Sequence, residues 1–208
     1  MSPEPDMIAA STHLHRFSLD DVDRMLEAGV LREDDRVELL MGVLYDMSPQ
    51  SSHHAATIHL ALAALQACLP AQGWHVRVQV PLRLASDSQP EPDLAVVSGT
   101  PRSWIDRHPD HAALVVEVAD SSIEHDRGRK APLYARAGIQ AYWILEPAHA
   151  RVRVFEGPDP SSSSYRLDRV LGRTDSIVLP REIAGRARVL ATADLLPDPD
   201  DVRADGEG

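Results

Sequence analysis

Two acidic residues of this sequence lie in or beside apolar segments. Glu117 stands in the middle of LVVEVAD (114–120), and Asp93 follows Pro92 at the start of PDLAVV. If both segments are neighbouring strands, as consecutive strands usually are, the two carboxylates can share one edge of a sheet. Buried carboxylates take up a proton, pair with a base or bind a hard cation. Ligands that are all oxygen atoms favour Mg²⁺ or Mn²⁺ over Zn²⁺.

Lys130 is the only lysine of the chain, which contains twenty arginines. Its ammonium group differs from a guanidinium in its compactness and its titratable pKa, although an arginine-rich sequence can also retain one lysine by accident. A lysine at position 119, which faces the same side of the predicted strand as Glu117, would complete a metal site within the strand, but alanine stands there. Lys130 lies on the following predicted helix and can reach back over the end of the strand. These residues indicate a site of two carboxylates and one lysine.

The same residues also have structural interpretations, which the sequence leaves open. Glu117 can pair with a buried arginine, and Asp93 after proline can be an ordinary turn residue. Three histidines, at 53, 54 and 59, lie on one predicted helix, but the absence of an HExxH pattern disfavours a zinc site. The sequence has no GxSxG elbow and no phosphate-binding glycine loop, which disfavours a serine hydrolase and a P-loop enzyme.

Composition and charge limit the class of protein without deciding it. The chain has 208 residues, 43% of them hydrophobic, which is enough for one domain with a substantial core. Its net charge of −11 argues against a polyanion partner, but residues 197–208 contribute −4 and residues 1–12 contribute −2, which leaves −5. Cys68 is the only cysteine, which excludes an intrachain disulfide and a thiolate-rich zinc site. No apolar run reaches the roughly 18 residues of a membrane span, and no secretory signal is recognisable, so we expect a soluble, cytoplasmic protein without a membrane partner.

Hydrophobic periodicity and turn residues predict alternating strands and helices. The first half should contain a helix capped by Ser18 and ending at Gly29, two short strands around Gly42, a helix over 53–70, and strands over 75–84 and 92–97. A loop with a short helix over 98–112 should lead to a strand over 113–120 and a helix through Lys130 that ends at Gly138.

The second half should begin with a strand over 141–146, so that a strand, a helix and a strand follow one another. This order implies a right-handed crossover and a parallel pair within an otherwise meandering sheet. A hairpin of RVRVFE and YRLDRVL and a further short strand should close the domain near Leu196. We expect one domain over residues 13–196, with disordered tails over 1–12 and 197–208.

Six motifs resemble one known protein family. The half-motif Pro92-Asp93, with Glu117 and a displaced lysine, resembles the PD-(D/E)XK restriction-endonuclease-like superfamily. The closer resemblance is to the bacterial Uma-two family of putative restriction endonucleases, over about residues 15–196. It is carried by VELLMGVLYDMSP, the His54 five residues after Pro49, EPDLAVV, LVVEVADSS, DRGRKAPLYARAGI and AYWILEP. This resemblance implies an α/β restriction-endonuclease-like fold, with a central mixed β-sheet flanked by helices and an additional C-terminal β-hairpin.

The resemblance also implies a reaction and a role for each residue. Asp93 and Glu117 would bind Mg²⁺ or Mn²⁺, and Lys130 would orient or deprotonate an attacking water. Glu38 would be a further acidic member of the site, while His54 and Asp126 would support these residues from outside or face the substrate. The reaction would be hydrolysis of DNA phosphodiester bonds. The resemblance and the edge of the predicted hairpin also allow a homodimer.

Two residues depart from the family pattern and bear on Lys130 and its surroundings. Asp120 stands where the family usually has a serine, and it adds negative charge. Pro132 is harmless if its helix begins near Arg129, but it kinks a helix that begins at Asp126. Two rival functions therefore stay open, namely a catalytically idle binding or assembly module of the same fold and a hydrolase of a smaller phosphoester.

Two further interpretations concern the charged residues around this core. Glu38 lies two residues after Arg36, so an ordinary surface ion pair between them is an alternative to a role in the site. A modest phosphate-contacting track is predicted from five arginines on the lysine-bearing helix and on one strand, namely Arg77, Arg83, Arg127, Arg129 and Arg136.

Overall fold

The computed structural model describes residues 14–32, 34–47, 49–119, 123–184 and 188–198. Asp120, the predicted N-terminal tail and most of the predicted C-terminal tail therefore lie outside the described residues. At the start of the C-terminal tail, Arg173 donates a hydrogen bond of 2.6 Å to the Pro197 carbonyl and forms an ion pair with Asp198. No helix in the described ranges is long and apolar enough to cross a membrane.

The N-terminal third forms two helices and a separate hairpin. Helix α1 spans Leu19–Glu27, strands β1 (Val37–Leu40) and β2 (Val43–Asp46) pair antiparallel, and helix α2 spans Ser52–Cys68. The predicted cap of α1 is confirmed, because Asp21 N–H donates to Ser18 Oγ at 3.2 Å and Ser18 N–H donates to the Asp21 carboxylate at 2.9 Å. This reciprocal bonding satisfies two backbone donors that a helix start leaves unpaired.

A six-stranded mixed sheet forms the centre of the protein. Its strands lie in the order β3-β4-β5-β6-β7-β8, and β5 and β6 are parallel while all other neighbours are antiparallel. The predicted parallel pair within a meander is therefore confirmed. The strands are β3 (Trp74–Val78), β4 (Leu94–Ser98), β5 (Leu114–Val118), β6 (Ala141–Glu146), β7 (Arg151–Asp159) and β8 (Ser164–Gly172).

The strand predicted over residues 75–84 is too long, because β3 ends at Val78. Gln79 adopts a left-handed backbone conformation, with φ of +48°, which interrupts the extended chain. Pro81 then removes a donor that a continued strand would need. The alternation of apolar and polar residues continues past this point, so periodicity alone could not reveal the end of the strand.

The two faces of the sheet carry separate apolar clusters. On one face, α2 packs against residues such as Val116 and Trp143; on the other, Val115 and Tyr142 pack against the helices that follow β5. Side chains alternate between faces along a strand, so Glu117 points to the second face together with Val115. The order strand, helix, strand thus buries Glu117 beneath the crossover segment.

The crossover segment between β5 and β6 is one helical run with a change of geometry. It consists of α3 (Ile123–His125), a π-helical turn (Asp126–Lys130) and α4 (Ala131–Arg136). Pro132 lies in the first turn of α4 and has no N–H to donate to the preceding turn. The π turn, which is wider than an α-helical turn, ends at Lys130, two residues before Pro132. The helical run therefore does not start at Arg129, and it continues through the proline without a break. Such π turns often occur at functional sites.

The C-terminal elements complete the fold. Strands β7 and β8 form the predicted hairpin, which extends the central sheet. Beyond it, β9 (Ser176–Val178) and β10 (Val189–Ala191) form a second antiparallel pair on either side of the short helix α5 (Arg181–Ala184). Short 3-10 helices lie at Pro101–Trp104, Pro147–His149 and Thr192–Leu195.

Candidate active site

The register of the sheet brings the two predicted carboxylates together. Leu94 pairs with Val116 across β4 and β5, so Asp93 and Glu117 face each other at the next position. The backbone N–H of Asp93 donates a long hydrogen bond of 3.4 Å to Oε2 of Glu117. Both residues are buried, with 7% and 4% of their surface exposed. Asp93 is therefore part of a buried pair of acids rather than a solvent-exposed turn residue.

Lys130 lies between two glutamates. Its Nζ is 3.0 Å from Oε1 of Glu117 and 3.3 Å from Oε1 of Glu38, which the β1–β2 hairpin brings to the site. The same Glu117 oxygen accepts a hydrogen bond of 2.9 Å from the Tyr134 hydroxyl. Glu38 is thus buried against Lys130 instead of forming a surface pair with Arg36. The buried partner of Glu117 is likewise this lysine rather than an arginine.

The Asp93 carboxylate is held by donors on both oxygens. Its Oδ2 accepts the backbone N–H of Val118 at 2.8 Å, while Oδ1 lies 3.0 Å from Nε2 of His54 and accepts the Gln79 amide at 3.3 Å. His54 occupies the first turn of α2, where its backbone N–H donates to Ser51 Oγ at 3.0 Å. These contacts fix the direction in which the Asp93 carboxylate points.

The charges of the cluster are unbalanced. The pKa of Glu117 is raised to about 8, mainly because burial disfavours the charged form; Lys130 lowers this pKa, while the nearby acids Asp93, Asp126 and Glu38 raise it. For Lys130, burial alone would lower the pKa, but the carboxylates of Glu117, Glu38 and Asp126 raise it above the ordinary value, so the ammonium stays charged. One cation therefore faces several buried acids, and the cluster takes up a proton near neutral pH.

Asp126 contributes charge to this site from the start of the π turn. It is buried, and its backbone carbonyl accepts a hydrogen bond of 3.4 Å from the Tyr142 hydroxyl. Across the ranges that the structure describes, no three His, Cys, Asp or Glu side chains converge in the arrangement of a closed metal site. Lys130 instead lies between the carboxylates of Glu117 and Glu38.

Comparisons with known proteins give the family of this chain and a solved structure with the same fold. The sequence model of the Uma2 family, described as putative restriction endonuclease, matches residues 19–193. The chain belongs to this family. A crystal structure titled as a putative nuclease belonging to DUF820 from Anabaena variabilis has the same fold, with a TM-score of 0.64 at 14% identity, over 86% of this chain and 97% of that chain. No curated protein matches. Membership of the Uma2 family supports a nuclease function, and the solved structure shows the fold.

Two side chains of this Uma2 site escaped the sequence analysis. Tyr134 lies one helical turn after Lys130, so its placement on the same helix face could have been noticed. Gln79 occupies a polar position in an alternating strand pattern, where its sequence context resembles that of any solvent-exposed residue. Its contact with Asp93 depends on how β3 ends, which the pattern does not encode.

The predicted phosphate-contacting track is only partly available in this Uma2 protein. Arg136 is bound to Asp87 at 2.7 Å, and Arg77 lies 3.3 Å from the His108 ring. Arg129 lies over the Tyr45 ring at 4.8 Å and hydrogen-bonds to its hydroxyl.

Arg127 and Arg83 are exposed, as is Arg129. Arg127 lies on the same π turn as Lys130, three residues before it, whereas Arg83 is far from Lys130 along the sequence.

Proposed function

We propose that this protein is a Mg²⁺- or Mn²⁺-dependent endonuclease that hydrolyses phosphodiester bonds of DNA. The observation that carries the proposal is the contact of Lys130 with both Glu117 and Glu38 beside the Asp93 carboxylate. Buried acids in excess over their one cation are costly for a fold, and they cluster where chemistry needs them. Membership of the Uma2 family supports the same reaction class.

The residues present fit a hard divalent cation. Asp93 and Glu117 offer carboxylate oxygens from adjacent strands, which is the donor type that Mg²⁺ and Mn²⁺ prefer. The raised pKa of Glu117 supports this proposal, because a bound cation would stabilise the charged carboxylate that burial disfavours. When bound, the ion would polarise the phosphate and lower the pKa of its water.

The chain's own groups position the reactants. Lys130 stays protonated and holds Glu117 and Glu38 in place, and its remaining N–H can direct a water toward the phosphate. His54 bonds to Asp93 and has 15% of its side chain exposed, which is more than the acids and the lysine of the site. It therefore marks the side from which a phosphate would approach. The N-terminus of α2 adds a favourable field for an anion there.

A plasmid-nicking assay tests this proposal. Supercoiled plasmid is incubated with Mn²⁺ and the wild type, Glu117→Gln, Lys130→Ala or Lys130→Arg, while Arg166→Ala serves as an exposed control remote in sequence from these residues. We expect nicking by the wild type and the control, and a loss of roughly 100-fold or more in Glu117→Gln and Lys130→Ala. Lys130→Arg should also lose activity, since a guanidinium is larger than an ammonium and does not fit between Glu117 and Glu38 in the same way. Equal nicking by all proteins would reveal contamination and refute the proposal.

A hydrolase of smaller phosphoesters is the second candidate. Two observations favour it, namely the net charge of −11 and the burial of the site, which suit a small substrate better than a duplex. The same variants are assayed with bis(p-nitrophenyl) phosphate. Cleavage of this ester without plasmid nicking would decide for the second candidate, and binding of DNA without either cleavage would indicate an idle binding module.

A further inference from the structure

Gln79 has a backbone conformation that is unfavourable for a residue with a side chain. Its φ of +48° lies in the left-handed region, which is unfavourable for a residue with a Cβ atom. The other described non-glycine residues with positive φ occupy turns or connections, where the chain must reverse: Met41, Ala150 and Ser163. Gln79 likewise lies in a bend, directly after Val78, the last residue of β3, which still pairs with Leu94.

Two hydrogen bonds join Gln79 to Asp93. Its backbone N–H donates to the Asp93 carbonyl at 3.0 Å, and its side-chain amide donates to Oδ1 of the Asp93 carboxylate at 3.3 Å. The backbone bond continues the pairing of β3 with β4 by one residue. The side-chain bond is different, because it links the strained residue to a carboxylate of the site.

The contact completes a set of donors around one carboxylate. Val118 N–H fixes Oδ2 of Asp93 at 2.8 Å, while Gln79 and His54 both approach Oδ1. A carboxylate held on both oxygens cannot rotate freely, so its remaining lone pairs have fixed directions. Partners that orient a ligating group in this way commonly change metal affinity or activity by roughly 10- to 100-fold when they are removed.

We propose that Gln79 is a positioning residue, whose amide fixes the rotation of the Asp93 carboxylate and whose left-handed backbone brings that amide to it. This inference rests on the proposed function, in which Asp93 binds the divalent ion. A chain that only needed to end β3 here would be served better by glycine, which adopts positive φ without strain. The presence of glutamine therefore points to its side chain.

Four variants separate the side chain from the backbone. Gln79→Ala and Gln79→Gly both remove the amide, but only glycine also relieves the positive φ. Ser163→Ala and Ser163→Gly make the same comparison at another positive φ, in the turn between β7 and β8, where no site residue lies. For each protein we measure the melting temperature without metal, the Kd for Mn²⁺ by calorimetry, and kcat and KM for plasmid cleavage.

We expect glycine to melt above alanine at both positions, because both backbones are strained. Only the two Gln79 variants should weaken Mn²⁺ binding, by roughly 10-fold, and lower kcat while KM for DNA stays within about twofold. Wild-type Mn²⁺ affinity and kcat in Gln79→Ala would overturn the positioning role. A melting temperature of Gln79→Gly at or below that of Gln79→Ala would overturn the argument from strain, and a rise in KM alone would make Gln79 a DNA contact instead.

The failure of this inference differs from the failure of the proposed function. If the wild type binds Mn²⁺ but cleaves no DNA, the nuclease proposal fails, while the Mn²⁺ affinities of the four variants still test Gln79. If the wild type cleaves DNA and Gln79→Ala does so equally well with equal Mn²⁺ affinity, only the role of Gln79 fails. Wild type that neither binds Mn²⁺ nor cleaves DNA refutes both.

Discussion

Replacing Glu117 by glutamine should change how the stability of the metal-free protein depends on pH. The folded-state pKa of Glu117 is about 8, whereas its ordinary value is 4.5. Between these values the folded protein binds a proton that the unfolded chain has released, so the free energy of unfolding falls as pH rises. From pH 5 to pH 7.5 this linkage removes about 3 kcal/mol, which corresponds to roughly 6–12 °C in melting temperature for a domain of this size.

Glutamine has no such proton, so this part of the pH dependence should be absent from Glu117→Gln. The assay is thermal and urea denaturation in EDTA at pH 5 and pH 7.5, and the quantity compared is the wild-type stability minus that of the variant. This difference should fall by about 3 kcal/mol between the two pH values. Glu124→Gln, which removes an exposed carboxylate from α3, serves as the matched control and should show no such change.

The opposite interpretation makes a different prediction. If Glu117 were charged throughout this range and acted as a structural partner of Lys130, its replacement would leave a buried ammonium with less compensation. The variant would then lose about 3–5 kcal/mol at both pH values alike. A constant loss of this size would refute the argument that the cluster holds more buried acid than its single lysine can neutralise.

Two further substitutions test individual contacts. Tyr134→Phe removes the hydroxyl that donates to Glu117 at 2.9 Å and should destabilise the protein by about 1–3 kcal/mol in urea unfolding. Tyr142→Phe, which loses only a long bond of 3.4 Å in the same buried stack, is the control, and equal losses would contradict the importance of the Glu117 contact. Ser18→Ala should lower stability by about 1 kcal/mol through the loss of the α1 cap, while Ser18→Asp should retain it. An unchanged melting temperature in Ser18→Ala would show that α1 contributes little to global unfolding.

Much of the fold followed from local patterns in the sequence. The cap at Ser18, the apolar strand around Glu117 and the helix ending before Gly138 each depend on residues within a few positions of one another. The order of elements also predicted the parallel pairing of β5 and β6, since a helical crossover returns the chain in the same direction. The predicted end of β3 was wrong, because a single residue with a left-handed backbone can end a strand even though the alternation of apolar and polar residues continues.

For the candidate site, the sequence predicted which acids could meet, and the tertiary structure decided what surrounds them. Asp93 and Glu117 lie on consecutive strands, so their approach required only the sheet register. Glu38 arrives from a separate hairpin, and Lys130 reaches it from a π turn that ends just before Pro132. Such contacts join parts of the chain that no periodicity connects.

The sequence by itself thus determined the types of chemical group in this protein and the strands and helices that carry them, because propensity, capping and hydrophobic alternation act over a few residues. Only the tertiary structure decided that one lysine faces several buried acids and that Gln79 turns back toward Asp93. The physical reason is that desolvation and charge repulsion depend on distances across the packed core. These distances, rather than the residue types alone, raise the pKa of Glu117.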